Sequence, residues 1–384
     1  MKKIVSALIG AMMAAPAAMA GQGVSDKEIV IGSHGDLSGP FAAFGAPAIK
    51  AAQHYFDEVN AAGGVHGRTI KFVVEDHGYQ VPKSVQAVNK LVNRDKVFAM
   101  LLVLGTPMNI ASFKILDRKE IPNVYPLSSA RQINAEPNRL RFAGGSSYYD
   151  QLRAGVSYMA ENHGSEVVCA MYIPSDFGKE IKLGAEDEAK ARGLKWGAET
   201  THKPDETDYA GSISKLKSAG CDVVAVALSV RGAITAVATA KKLGWNDVKF
   251  IGSSASFHTA IAKVPGGVTE GFYAAASWSD LEARVGDPVV AKWIKSYTQA
   301  SGEKFPGTGA LLGRGGAEMM VRALEAAGRD LTVDSFLKAM DGLKYEDKIL
   351  GNMVDMDPKT HVASNEIYIS QVAGGSWKVV GEIK

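Results

Sequence analysis

The stretch "EIVIGSHGDLSGPFAAFG", residues 28–45, decides the fold. "EIVIGS" reads as a strand. "GDLSGPFAAFG", Gly35–Gly45, reads as the turn that leaves it, permissive in its Gly, Ser and Pro and carrying two phenylalanines. A helix follows in "AIKAAQHYFDEVNAAGG", where Ile49, Ala52, Phe56 and Val59 recur at three- and four-residue steps and form one buried stripe. Pro47 suits the first helical turn, and Gly63–Gly64 suit its stop. Strand, turn and amphipathic helix together make one βα unit.

The unit repeats along the chain. "TIKFVVED", "VFAMLLVLG", "EVVCAMYIP", "DVVAVALS" and "VKFIGSS" alternate with helical segments. Such repetition implies parallel sheets covered by helices, an α/β fold. "FAGGSSYYD", residues 142–150, breaks the rhythm midway, and "GFYAAASWSDLE", residues 271–282, breaks it again. The chain ends in "EIYISQVAGGSWKVVGEI", two strands about a Gly-Gly turn and so antiparallel. Two α/β lobes joined by more than one crossing leave a cleft, and ligands of open α/β sheets sit beyond the C-terminal strand ends. The 35–45 turn lies at such an end.

The first residues stand apart. "MKK", the short apolar "IVSALIGAMMAA" and "AMA" before Gly21 read as a secretory signal peptide cut after Ala20, which places the mature chain in the periplasm. The apolar run is shorter than the ~20 residues a membrane span needs. The 384 residues exceed one ordinary core, so two domains are expected. Lys and Arg number 43 against 41 Asp and Glu, and Lys2 and Lys3 account for the excess. A near-neutral exported chain has no electrostatic reason to bind nucleic acid or an anionic membrane. Two cysteines do not make a disulfide scaffold.

Enzyme signatures are missing. The eight histidines show no HExxH and no paired metal spacing, and there is no G-x-S-x-G elbow. "GTGALLG", residues 307–313, is one residue too long for a dinucleotide fingerprint, and "DFG" at 176–178 has no H-R-D partner. No catalysis, metal or cofactor is expected.

The opening segment, "AAQHYFDEVNAAGGVHGRTIKFVVEDHG", the "LVLGTPMN" and "YPLSSA" turns and the C-terminal hairpin together resemble the branched-chain amino-acid-type periplasmic solute-binding proteins of ABC importers. The likeness covers essentially the whole mature chain. It implies two Rossmann-like lobes with parallel central sheets, three crossings and a cleft that closes on a small molecule and is presented to a membrane permease. The lobes would comprise residues 21–143 with 277–350 and 144–276 with 351–384, with crossings near 143–145, 274–277 and 350–351. A monomer is expected. A sensory module serving a membrane receptor would use the same lobes.

Carried over residue by residue, the resemblance puts Phe44 over the ligand, while Phe41 reads as packing under the loop. Gly105 and Thr106 would supply an amide and a hydroxyl, and Ser128, Ser129 and Ala130 a second such set. Both sets lie ahead of helices, where a carboxylate is favoured; simple N-capping is the other reading of the hydroxyls. The second lobe would add Tyr149, Phe177, Ser229, Arg231 and Ser254, beside aromatics such as Tyr148, Phe257 and Trp278. Amino-acid-binding relatives carry an acid where Ser254 stands, and a buried ammonium without a counter-charge is costly. A carboxylate without an α-amine, an aromatic or small organic acid, is therefore the expected ligand, with a branched-chain or other amino acid as the alternative. Arg314, where relatives more often carry an aromatic, could clamp that carboxylate. His34 and His77 flank strand ends and read as capping or solvent-facing, with ligand contact as the alternative, and Met319 and Met320 read as core. In the family's strand order Cys169 and Cys221 lie on neighbouring parallel strands, offset by about three residues or ~10 Å. That exceeds disulfide reach, so two free, buried thiols are expected.

Overall fold

The computed structural model describes residues 21–133 and 139–383. The expected signal peptide, residues 1–20, lies outside them. The opening strand is β1 (Glu28–Gly35) and its helix is α1 (Ala42–Ala61). The helix begins before Pro47, which therefore sits in its interior and not in its first turn. Proline has no N–H for the carbonyl four residues back, so the Ala43 oxygen has no helical donor at that step. The His258 Nε2–H donates to it instead, at 3.1 Å.

The first lobe continues through β2 (Thr69–Asp76), α2 (Val81–Asn93), β3 (Ala99–Leu101), α3 (Thr106–Arg118), β4 (Asn123–Val124) and β5 (Arg141–Phe142). Its strands form one parallel sheet in the order β2-β1-β3-β4-β5. Val88, Leu91 and Val92 of α2 pack with Met100 on one side of it. Ala51, Ala52 and Phe56 of α1 join Ile29, Ile31 and Leu101 in the main core.

The second lobe holds α4 (Tyr148–His163), β6 (Val167–Tyr172), α5 (Asp176–Ala191), β7 (Lys195–Thr201), α6 (Ala210–Ser218), β8 (Val223–Ala227), α7 (Val230–Lys242), β9 (Lys249–Gly252), α8 (Thr259–Ala262) and β10 (Tyr273–Ala276). The chain then adds α9 (Pro288–Ser301), α10 (Thr308–Ala327), α11 (Val333–Asp341) and the hairpin β11 (Lys344–Asp347) with β12 (Asn352–Asp355). It ends in β13 (Ile367–Ala373) and β14 (Ser376–Ile383), which extend the second sheet to β14-β13-β10-β9-β8-β6-β7. The last two strands are antiparallel to their neighbours and the others parallel. The third crossing differs from expectation. Residues 350–351 form the turn of the β11–β12 hairpin, and Val362 still bridges Ala143 beside the first sheet. The chain joins the second sheet only at Ile367.

At Gly309 and Gly313 helix α10 comes against the backbone of α1. A Cβ on Gly309 would stand 2.7 Å from the Phe44 carbonyl oxygen, and one on Gly313 would collide with that of Ala48. "GTGALLG" is thus a helix-contact motif.

The cysteines correct the expectation. Cys169 and Cys221 form a disulfide with Cα atoms 5.9 Å apart. The three-residue offset holds, since Cys169 is level with Val224. But β8 begins only at Val223, and the Cys221 amide donates to Leu216 O at 3.3 Å. Cys221 still belongs to the turn that ends α6, so the distance along an extended strand does not apply. The bridge closes a loop of 52 residues' separation, for which chain-entropy arguments give about 4 kcal/mol. Reduction, or the Cys169→Ala/Cys221→Ala variant, should lower the unfolding free energy by that order, read from denaturant unfolding; an unchanged free energy would show the bridge to be energetically idle.

Candidate ligand-binding cleft

Asp36, wholly buried, shapes the turn that opens the cleft. Its carboxylate accepts from the Gly39 amide at 2.6 Å and the Phe41 amide at 2.7 Å. Asp76 holds the same turn from the next strand, accepting from the Leu37 amide at 3.0 Å and the Ser38 hydroxyl at 2.6 Å. The turn carries Phe41 and Phe44 to the wall of a cavity between the lobes. Phe41 is buried in the core, as packing under the loop implies, and is a cavity wall as well. Its ring lies 4.3 Å from the Tyr79 ring and edge-on to Phe177 across the cleft at 5.7 Å.

The first lobe also presents Gly105 and Thr106 at the start of α3, and Ser128 and Ser129 after β4. Gly105 takes φ 99°, the left-handed region where a side chain would be strained. No side chain caps α3; the Gly105 amide, expected to meet the ligand, instead donates to Leu127 O at 3.2 Å and Pro107 has no N–H, which leaves the Thr106 and Met108 amides as the helix-start donors. The hydroxyls of Thr106 and Ser128 bond each other at 2.7 Å; neither caps a helix. From the second lobe come Phe177 and Ser254. The Ser254 amide donates to Gln151 Oε1 at 2.8 Å.

Other expected residues lie elsewhere, each for a local reason. The Ala130 amide turns toward Ser128 Oγ at 3.5 Å, and the residue does not line the cavity. Tyr149 donates to Asp187 at 2.8 Å and stacks under the Arg131 guanidinium at 3.5 Å, on the outer face. Ser229 caps α7, accepting from the Gly232 amide at 3.2 Å. Arg231 is exposed. Arg314 donates to Glu318 at 2.7 Å and lies over the Tyr55 ring at 3.7 Å. It makes a helical ion pair and no carboxylate clamp.

Sequence reasoning missed Tyr79 and Tyr125 and left Tyr148 only as a neighbour; all three line the cavity. Burial pushes the phenols of Tyr79 and Tyr125 far above their usual value and that of Tyr148 to about 12, so all stay neutral. His77 fixes this wall from behind. Its Nδ1 accepts from the Tyr79 amide at 3.0 Å, which leaves Nε2–H to donate to Leu104 O at 3.2 Å. Burial lowers its pKa, and burial next to His77 drives His34 down to about 3. Both rings are neutral supports. None of the described cavity-lining residues is charged.

The cleft is closed. On one rim Arg131 Nε meets Glu180 of α5 at 2.7 Å. On the other, Thr259 and Thr308 exchange amide-to-hydroxyl bonds at 3.0 and 3.1 Å, beside the His258–Ala43 contact. Behind Tyr125 lies Asp347, wholly buried, whose carboxyl burial and the nearby Glu318 raise to about 6.

Comparison with known proteins gives the following. The sequence model described as periplasmic binding protein matches residues 28–376. The chain is 28% identical over 203 residues to a Leu/Ile/Val-binding protein homolog of Brucella melitensis, covering 51% of this chain and 53% of the relative; it thus spans about half of that relative's length. Among solved structures, a fatty acid ABC transporter substrate-binding protein from Thermomonospora curvata superposes with a TM-score of 0.85, at 26% identity over 94% of both chains. A solute-binding protein from Rhodopseudomonas palustris BisB5 superposes with a TM-score of 0.80, at 19% identity over 93% of this chain and 97% of that one.

Two substitutions test the placements. Arg314→Ala should lower stability by about 1–3 kcal/mol, less than for an isolated buried pair because Arg322 also holds Glu318 at 2.7 Å. Ligand affinity should be unchanged; a selective loss of binding would restore the clamp. The raised pKa of Asp347 means its ionised form opposes folding above about pH 6 and ceases to matter below the ordinary value of 3.8. Asp347→Asn should therefore stabilise the protein at neutral pH, the gain vanishing toward acid. A gain independent of pH would exclude the titration.

Proposed function

The chain belongs to the periplasmic binding protein family, and from that premise we propose that it is the exported receptor of an ABC importer, closing on a small organic acid that lacks an α-amine. The observation that carries the ligand class is the cavity's charge: aromatic walls, hydroxyls and helix-start amides, with no acidic side chain among the described lining residues. An ammonium taken into this space would lose its hydration and meet no counter-charge among the described lining residues. A carboxylate would find the uncapped start of α3 and the Thr106–Ser128 hydroxyls, and the positive end of a helix suits an anion.

The apolar remainder of the ligand would lie against Phe41, Phe44, Phe177 and Trp278. Such walls suit a ring or a short aliphatic chain. The Rhodopseudomonas palustris protein is in complex with 3,4-dihydroxy benzoic acid, and the Thermomonospora curvata protein is named for fatty acids; both are consistent with an acid that bears no amine. The Brucella melitensis relative, named for leucine, isoleucine and valine, marks the competing reading. The partner of the closed form would be a membrane permease.

A thermal-shift screen of refolded, ligand-stripped protein separates the two. Benzoates, cinnamates and short aliphatic acids stand beside branched-chain and aromatic amino acids. A ligand at 100 times its dissociation constant adds about 2.7 kcal/mol. Stabilisation by the deaminated acids alone supports the proposal, and a response to leucine or valine overturns the ligand class. Thr106→Ala should weaken the stabilising acid by about 1–3 kcal/mol; unchanged affinity would remove that hydroxyl from the site.

A further inference from the structure

His258 joins the lobes at a place that depends on its protonation. Its Nε2–H donates to the Ala43 oxygen, the carbonyl left without a helical donor by Pro47. Its Nδ1 accepts from the Ala260 amide at 3.0 Å, so both ring nitrogens are committed and the ring must be neutral. The imidazole is buried and packs edge-on to Phe44, a wall of the cavity, at 4.6 Å. Its backbone is held by Trp377 Nε1–H, which donates to His258 O at 3.1 Å. One side chain therefore touches both the seam between the lobes and the ligand's wall.

We propose that His258 is a proton-sensitive latch: the neutral imidazole ties the closed lobes through the Ala43 carbonyl, and protonation opens the cleft and weakens ligand capture. This regulation rests on the reading of the cleft as a receptor site that closes on its ligand. A second proton would sit on Nδ1, pointing at the Ala260 N–H, and donor would face donor. The charge would also be buried without a partner. The packed elements offer Ala43 and Phe44 from α1, Ala260 from α8 and Trp377 from β14, none of them charged. The ionisable groups of these segments are engaged elsewhere. Lys263 pairs with Glu282 at 2.7 Å, Lys50 with Glu303 at 3.3 Å, and Asp280 accepts from the Trp377 amide at 3.3 Å. Lys378 is exposed.

The sign follows from burial, which lowers the imidazole pKa from its ordinary 6.5 in the closed form. An open cleft would return the ring toward that value. Closure is then favoured above it and lost as pH falls below it, by up to about tenfold in the closed-to-open ratio per pH unit.

Spin labels at Lys83→Cys on α2 and Lys190→Cys on α5, both exposed, would report the lobe separation. The native cysteines, being bridged, take no label. Distances are measured at about pH 8 and about pH 5.5, without added ligand and with 4-hydroxybenzoate. The labelled parent should lose its short-distance population at the lower pH. His258→Gln, which keeps a donor for Ala43 and cannot titrate, should stay closed at both. His258→Ala should be more open at both. A parent insensitive to pH, or a His258→Gln variant that opens as the parent does, overturns the latch. Failure of 4-hydroxybenzoate to change any distance counts against the organic-acid reading alone, because the ligand-free comparison decides the latch.

Discussion

The cleft depends on one buried carboxylate. Asp36 gathers the amides of Gly39 and Phe41, and an ionised acceptor makes such bonds roughly twice as strong as neutral ones. With Asp76 holding the other end, the turn out of β1 has little freedom left. Its two phenylalanines then project where the strand ends, and the site is built around them. Without this knot the same turn would be a mobile glycine-rich loop.

The wall that results is neutral and closely supported. Tyr79 rests on Phe41, Phe41 meets Phe177, and Phe177 meets Tyr148 at 5.6 Å. Edge-to-face pairs of this kind contribute about 0.5–1.5 kcal/mol each beyond their buried area. The Phe41–Phe177 pair spans the lobes, so part of the energy of closing is intrinsic to the protein. Two histidines behind the wall carry no charge: His77 spends both ring nitrogens on backbone groups, and His34 bonds the Ser112 hydroxyl through Nε2 while its Nδ1 has no partner among the described residues.

Much of this was legible. The alternation of β and α follows from apolar runs covered on both faces and from helical stripes, and the start of α3 could be placed from "GTPMN". What escaped depended on contacts between distant segments. Pro47 looks like a helix start unless His258 is known to satisfy the freed carbonyl. Cys169 and Cys221 look too far apart unless the turn after α6 is known to fold back. Tyr79 and Tyr125 adopt positive φ, which no periodicity announces. Arg314 is a different case. Glu318 stands four residues on, the spacing of a helical ion pair, and that signal was available. Ser229 likewise had the position of an N-cap ahead of "VRGAITAV".

The glycine contact between α10 and α1 has a mechanical consequence. Ala43 and Phe44 ride on or beside one helix, Thr308 on the other, and where Gly309 and Gly313 meet that helix there is bare backbone rather than side chains that could repack. A side chain at Gly309 or Gly313 would therefore push the helices apart and shift Phe44 and the rim contact of Thr308 together.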